Sequence, residues 1–166
     1  YFFGSKDIFQ EISRNYKNYF KKNYNVLDLG CGNLEHYNTL KKLNFKSYTG
    51  VDWLNFDNYP KDDRFIFQKS EIDKFLLKNK KKYDIILSIG TLEHFRNPLK
   101  IISNLKKNLT KKGRVIFAYP NYYNPRGLAL ITLMHLCDFK VTLSDWYFFE
   151  PAEIKKYLEK LNFSKI

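Results

Sequence analysis

Val26-Leu27-Asp28-Leu29 runs directly into Gly30-Cys31-Gly32-Asn33, and this junction constrains the fold more than any other stretch of the 166 residues. An apolar run that ends on Gly-x-Gly and precedes a helical pattern reads as a buried parallel strand closing on a tight turn. Glycines in such a turn admit φ > 0 and let backbone approach a bound group with no Cβ between them. The junction therefore predicts a nucleotide-like ligand at the carboxyl end of a first strand. A dinucleotide fingerprint needs a third glycine where Glu35 stands, which argues against NAD. Instead, Gly50-Val51-Asp52 follows about twenty residues on, the spacing at which an acid ending a second strand reaches a ribose.

The rest of the chain repeats that rhythm. Strands are expected at residues 25–29, 47–52, 64–68, 83–88 and 114–119. Helices are expected at 34–43, 71–79, 98–110, 128–137 and 151–161, with one more over Lys6 to Lys22 lying ahead of the first strand. Pro98 suits a helix first turn, and Lys111-Lys112-Gly113 reads as a left-handed glycine stop for that helix. Alternation at these lengths specifies an α/β fold: a Rossmann-like, doubly wound, mostly parallel sheet with helices on both faces. Its ligand crevice is expected beyond the strand carboxyl ends, where the strand order switches. One domain spanning 1–166 is expected from the length. Residues 120–148 read as a lid or substrate-facing insertion carrying an apolar helix, with a core helix and an oligomer contact as the alternatives.

Composition narrows the classes. Apolar residues make up 44% and aromatics 18%, as in a globular protein. The two cysteines, Cys31 and Cys137, give neither a disulfide framework nor metal-ligand spacing, so no metal and a reducing cytoplasm are expected. No leader pattern opens the chain at Tyr1, which stands where an initiator methionine would, and no apolar run reaches spanning length. The net charge of +12 suggests phosphate-rich partners. Against that, nearly all of it is lysine in short runs, and arginine, the residue suited to bidentate phosphate recognition, occurs five times.

Five segments in order, VLDLGCGN, GVDW, YDIILSIGTLEHF, LKKNLTKKGRVIFAYPN and EPAEIKKYLEKLNF, closely resemble the class I S-adenosylmethionine (SAM)-dependent methyltransferases. The resemblance runs from about residue 25 to the C-terminus. The nearest subgroup is the small-molecule methyltransferases with Leu-Glu-His after strand four. It implies that Asp28 orders the glycine turn and the methionine portion of the cofactor, with Gly30, Cys31, Gly32 and Asn33 against the cofactor. Asp52 would accept the ribose hydroxyls and Trp53 would lie on the adenine. Ser70 stands at the family's usual acid position, so Ser70 or Glu71 would meet the adenine amine. Ser88, Ile89 and Gly90 would line the methionine side. His94 would be the base for a hydroxyl acceptor, with Glu93, Tyr119, Asn121, His135 and Tyr147 toward the substrate. The family also continues into two further strands, the last antiparallel, beyond where this sequence stops at Ile166.

The reading that follows is in-line methyl transfer from SAM to a small-molecule acceptor, at oxygen of a sugar, a phenol or quinone, or another metabolite. No Asn/Asp-Pro-Pro-Tyr follows strand four, which argues against amino-group methylation of adenine or glutamine. An RNA methyltransferase using the basic surface is a second reading, and a non-catalytic protein that keeps the fold is a third. Peripheral membrane contact and oligomeric state stay open.

Overall fold

The computed structural model describes residues 14–15, 17–55, 58–119, 125–138 and 150–163. Five strands, β1 (Asn25–Leu29), β2 (Ser47–Asp52), β3 (Phe65–Lys69), β4 (Tyr83–Ile89) and β5 (Leu109–Ala118), form one sheet in the order β3-β2-β1-β4-β5. Every neighbouring pair is parallel. The chain winds outward from β1 to β3, then returns to lay β4 on the other side of β1. The switch in strand order therefore lies between β1 and β4, where a doubly wound sheet forms its crevice. The helices are α1 (Glu35–Leu40), α2 (Ile72–Lys78), α3 (Pro98–Asn108), α4 (Pro125–Cys137) and α5 (Pro151–Lys160). Before β1, Lys17–Tyr19 is a 3₁₀ turn, and most of the helix expected over 6–22 lies outside the described residues.

Central strands with both faces covered should be apolar throughout. Val26, Leu27, Leu29, Ile85, Ile86 and Leu87 are fully buried. On one face α1 sets Leu34, Tyr37 and Leu40 into a cluster with Val26, Tyr48, Ile85 and Leu87. Tyr37 and Tyr48 meet edge-on there with centroids 5.1 Å apart, a geometry favoured by the ring quadrupoles. α2 buries Ile72 and Leu76, and the Asn108 amide donates to the Leu76 carbonyl at 3.0 Å.

Two expectations need correction. The third helix ends at Asn108, and Gly113 is not a left-handed stop: its φ is not positive, and it belongs to β5. Tyr83 pairs with Leu109 and Ile85 with Arg114, so 110–113 bulge out of the ladder before regular pairing resumes. A Cβ at Gly113 would stand 2.9 Å from the Tyr83 carbonyl oxygen, so the glycine serves close backbone approach. The helix after β1 is also shorter than expected, because the chain turns at Lys41.

The chain divides into two compact units. One holds the whole sheet, up to Ile89 plus Asn104–Ala118; the other comprises Gly90–Ser103 and the residues from Tyr119 on. In the second unit Asn97 caps α3 by accepting the Lys100 amide at 3.1 Å, with Pro98 at the first turn as expected. α5 buries Ile154 and Leu158, and Tyr157 donates to the Leu99 carbonyl at 3.1 Å.

Candidate functional site

The carboxyl ends of β1 and β2 are held together by backbone groups. Gly30 N and Cys31 N both donate to the Val51 carbonyl, at 2.8 and 3.2 Å. Gly32 N donates to Asp52 Oδ2 at 2.9 Å, and Leu54 N to Asp52 Oδ1 at 3.0 Å. Asp52, 7% exposed, is thus fixed by one backbone donor on each carboxylate oxygen. Each oxygen keeps lone-pair capacity for a further donor. Capping a turn and holding a ribose are therefore compatible roles for this one side chain. Ser70 N donates to the Asp52 carbonyl at 2.9 Å, which brings the end of β3 to the same place.

Gly30 and Gly32 take φ of 72° and 52°, as the sequence required. A Cβ at Gly32 would meet nothing within 4 Å, so its surface stays open to a bound group. A third left-handed residue follows, and it is not glycine: Leu34 has φ 68° at the N-cap of α1. Such a conformation costs a branched residue on the order of 1–2 kcal/mol. Burial of Leu34 to 2% exposure in the α1 cluster offsets that strain. Sequence reasoning sought the third glycine at position 35 and missed the turn's actual third position.

Asp28 is fully buried, and its described hydrogen-bond partners lie outside the glycine turn. Tyr48 Oη donates to Asp28 Oδ2 at 2.6 Å, and His36 Nδ1 lies 3.0 Å from the same oxygen. The turn itself is tied by Asp52 and Val51, while Asp28 anchors α1 through His36. Register explains the tyrosine: Asp28 faces Gly50, so Tyr48 shares that sheet face one step back and reaches up to the carboxylate. Strand parity alone could have found Tyr48, and nothing in the sequence marked His36. Desolvation and the adjacent Asp28 carboxylate push the Tyr48 phenol well above its ordinary value, so it remains a donor.

Asp28 Oδ1 has no hydrogen-bond partner among the described residues, and neither has the buried Ser88 Oγ. β4 pairs Ser88 with Leu29, which sets this hydroxyl beside the end of β1. Buried oxygens left unpaired are costly, so the chemistry of these two at the switch point fits a polar ligand. Ile89 ends β4 in the same region and is buried.

Other expected residues fall out individually. Cys31 is buried with its Sγ against Gly50, where a Cβ would come within 2.9 Å. Burial and the negative Asp28 and Asp52 push its thiol far up, which disfavours the thiolate. Trp53 is 68% exposed, its ring available beside Asp52. Ser70 donates its hydroxyl to the Glu71 carbonyl, and the Glu71 carboxylate pairs with Lys74 at 2.7 Å. Asn33 is exposed at the end of the turn. In the second unit, Gly90 has φ 60° and Leu92–His94 form a 3₁₀ turn in which Glu93 is buried and His94 exposed. Tyr119 is half-buried, which raises its phenol, and His135 is exposed on α4. Asn121 and Tyr147 lie outside the described residues. Among the described residues no cluster of His, Cys, Asp or Glu could hold a metal.

Donors and acceptors converging on a left-handed turn at the switch point are shared by many α/β folds, so kinship decides the family. A methyltransferase-domain family model matches residues 4–166. The chain belongs to that family. It is 34% identical over 101 residues to a tRNA U34 carboxymethyltransferase of Nautilia profundicola, covering 57% of this chain and 34% of that protein. It is 29% identical over 147 residues to a ubiquinone biosynthesis O-methyltransferase of Rickettsia bellii, covering 82% of this chain and 60% of that one. It thus spans between about one third and three fifths of the length of these relatives. The crystal structure of a SAM-dependent methyltransferase from Archaeoglobus fulgidus superposes with a TM-score of 0.72 at 23% identity. That match covers 98% of this chain and 71% of the other, and shows the methyltransferase fold.

Proposed function

We propose that this methyltransferase-family chain binds SAM at the β1–β2 turn and transfers its methyl group to the oxygen of a small-molecule acceptor. The observation that carries the cofactor assignment is the Asp52 carboxylate, fixed by Gly32 N and Leu54 N beside an open glycine surface. A ribose diol offers two donors to the two oxygens so positioned. Asp28 Oδ1 and Ser88 Oγ, both buried, suit the ammonium and carboxylate end of the methionine portion. The exposed Trp53 ring suits the adenine face.

When bound, SAM supplies a methyl carbon already activated by its sulfonium. The chain then has to align an acceptor oxygen with that carbon, exclude water and remove a proton. His94 is the residue assigned to that proton, since imidazole is the side chain suited to base catalysis near neutral pH. Glu93, Tyr119, Asn121, His135 and Tyr147 are assigned to the acceptor side, and residues 120–148 to a covering insertion. Both compact units are read as one domain, because a single family model spans them. The acceptor class rests on the Leu-Glu-His resemblance and on the relative named for O-methylation. A cytoplasmic location is part of the same reading; among the described residues no helix is long and apolar enough to cross a membrane.

An RNA acceptor is the second reading, favoured by the relative named for tRNA and by the basic charge. Calorimetric titration with SAM and NAD in parallel tests the cofactor. SAM binding with no NAD binding is expected, and tighter binding of NAD or none of SAM would refute the proposal. Turnover assays with labelled SAM on phenols, sugars and transfer RNA then separate the two acceptor readings.

A further inference from the structure

All five strands are parallel, so the segments that lead into them emerge at one end of the sheet and the glycine turn at the other. Charge is partitioned between these ends. The segments 21–24, 41–46, 61–64 and 78–82 precede β1 to β4, and 106–113 spans the end of α3 and the bulged start of β5; together they total 27 residues. They carry fourteen of the chain's 24 lysines, with Asp62 and Asp63 as their only acids. The segments that leave β1, β2 and β3, at 30–34, 52–55 and 69–73, carry one lysine, Lys69, against Asp52, Glu71 and Asp73. A compositional excess of lysine would fall on both ends alike.

The fourteen lysines are all exposed. Helix C-termini favour cations and face this end, which accounts for a lysine in the last turn of α2 and two in that of α3. It does not account for Lys46, Lys80, Lys81, Lys111 or Lys112, which stand on the strand side of each connection. Lys46 and Lys81 crowd one another: burial and the Lys46 charge hold the Lys81 ammonium below its ordinary value. An anion placed there would relieve that repulsion.

Geometry and chemistry specify the anion. Five strands at about 4.8 Å spacing set the lysine-bearing segments in a row roughly 20 Å long, the length of a few nucleotides of extended backbone. A cleft of about 330 Å³ between α1 and residues 58–62 reaches this end at Lys41 and Lys61 and the glycine turn at Asn33 and Leu34, with Asp62 also in its lining. None of these five segments exposes a large apolar side chain for insertion into lipid. Lysine in place of arginine suits point contacts with phosphates and not the reading of base edges.

We propose that the amino-terminal end of the sheet is an RNA-binding face that holds the phosphate backbone without regard to sequence. It lies at the far end of the strands from the glycine turn, so it anchors RNA and does not present an atom for methylation. The face is independent of the SAM assignment, and either could fail alone.

Fluorescence anisotropy of the full chain with a labelled 20-nucleotide mixed-sequence RNA tests it. About four phosphate contacts predict an affinity that falls about 50-fold between 50 and 200 mM salt. The variant K80E/K111E/K112E changes exposed lysines of this face and should weaken binding at least 20-fold. K155E/K156E/K160E makes the same charge change on exposed positions of α5 and should weaken it less than 3-fold. K80Q/K111Q/K112Q, which removes charge without reversing it, should give a smaller loss in the same direction. Equal losses from the two charge-reversed sets would overturn the proposal by showing a net-charge effect only. So would an absence of RNA binding at 50 mM salt, or binding to phosphatidylserine vesicles or an acidic peptide in its place.

Discussion

The β1–β2 turn and helix α4 are opposites in how the chain fixes them. At the turn, the Gly30, Cys31, Gly32 and Leu54 amides all have acceptors, and Asp28 and Asp52 are buried with fixed partners. Along α4 the sequence is apolar on nearly every side, yet Leu128, Leu133 and Leu136 are 62%, 45% and 79% exposed. The first region spends its polar groups on holding one geometry. The second holds apolar surface in reserve. A donor site common to a family must be preorganised, whereas acceptor surfaces can differ among relatives, one named for tRNA and another for ubiquinone biosynthesis.

If the turn is preorganised in this way, Asp52→Ala should have the largest effect. It removes the acceptor for Gly32 N and Leu54 N together with the proposed ribose acceptor. Hydrogen bonds to a charged group contribute about 1.5–3 kcal/mol each. SAM affinity should therefore fall more than about 100-fold by calorimetry, and Asp52→Asn should fall between. Affinity within threefold of the parent would mean that the ribose is held elsewhere.

His94→Ala should separate the two regions most cleanly. His94 belongs to the 3₁₀ turn of the second unit and has no assigned part in the SAM pocket. SAM affinity is expected to stay unchanged, while turnover on a hydroxyl acceptor falls about 100-fold or more. Unchanged turnover would remove it as the base.

How much of this was legible from the sequence follows from the range of the interactions. β1 and β2 appear where the apolar runs placed them, because a buried parallel strand leaves a local signature. The positive φ of Gly30 and Gly32 was legible for the same reason. The bulge before β5 was not, since Lys-Lys-Gly spells a helix stop locally. Only the pairing of Leu109 with Tyr83, a contact 26 residues away in sequence, decides that 109–113 join the strand. The Asp28–His36–Tyr48 cluster was equally silent: three elements contribute one side chain each, and no short pattern joins them. Leu34 was misread because local rules reserve φ > 0 for glycine. Tertiary burial can hold a leucine there instead.

Packing beneath the turn offers a smaller test of the same rigidity. Gly50→Ala would set its Cβ 2.9 Å from Cys31 Sγ and 3.2 Å from Cys31 Cβ. Overpacking of this kind costs about 1–3 kcal/mol, read as a lower urea midpoint. Cys31→Ala in the same chain removes the sulfur but leaves the Cβ, so part of the loss should return and the two changes should be non-additive. Additive effects would mean that the turn does not rest on Gly50.

The smallest stability effect is expected at α4, and its smallness is the point. Replacing Leu128, Leu133 and Leu136 with Gln removes apolar groups already exposed to water. Glutamine is as good a helix former as leucine to within a few tenths of a kcal/mol. Each change should therefore move stability by less than about 0.5 kcal/mol, and SAM affinity should not move. If α4 covers an acceptor with apolar character, the same triple variant raises KM for that acceptor several-fold while kcat holds, because ground-state and transition-state contacts are lost alike. A loss of several kcal/mol in stability would instead make α4 a structural helix whose apolar side is covered in the folded chain. The contrast with the turn would then be one of burial and no longer one of purpose.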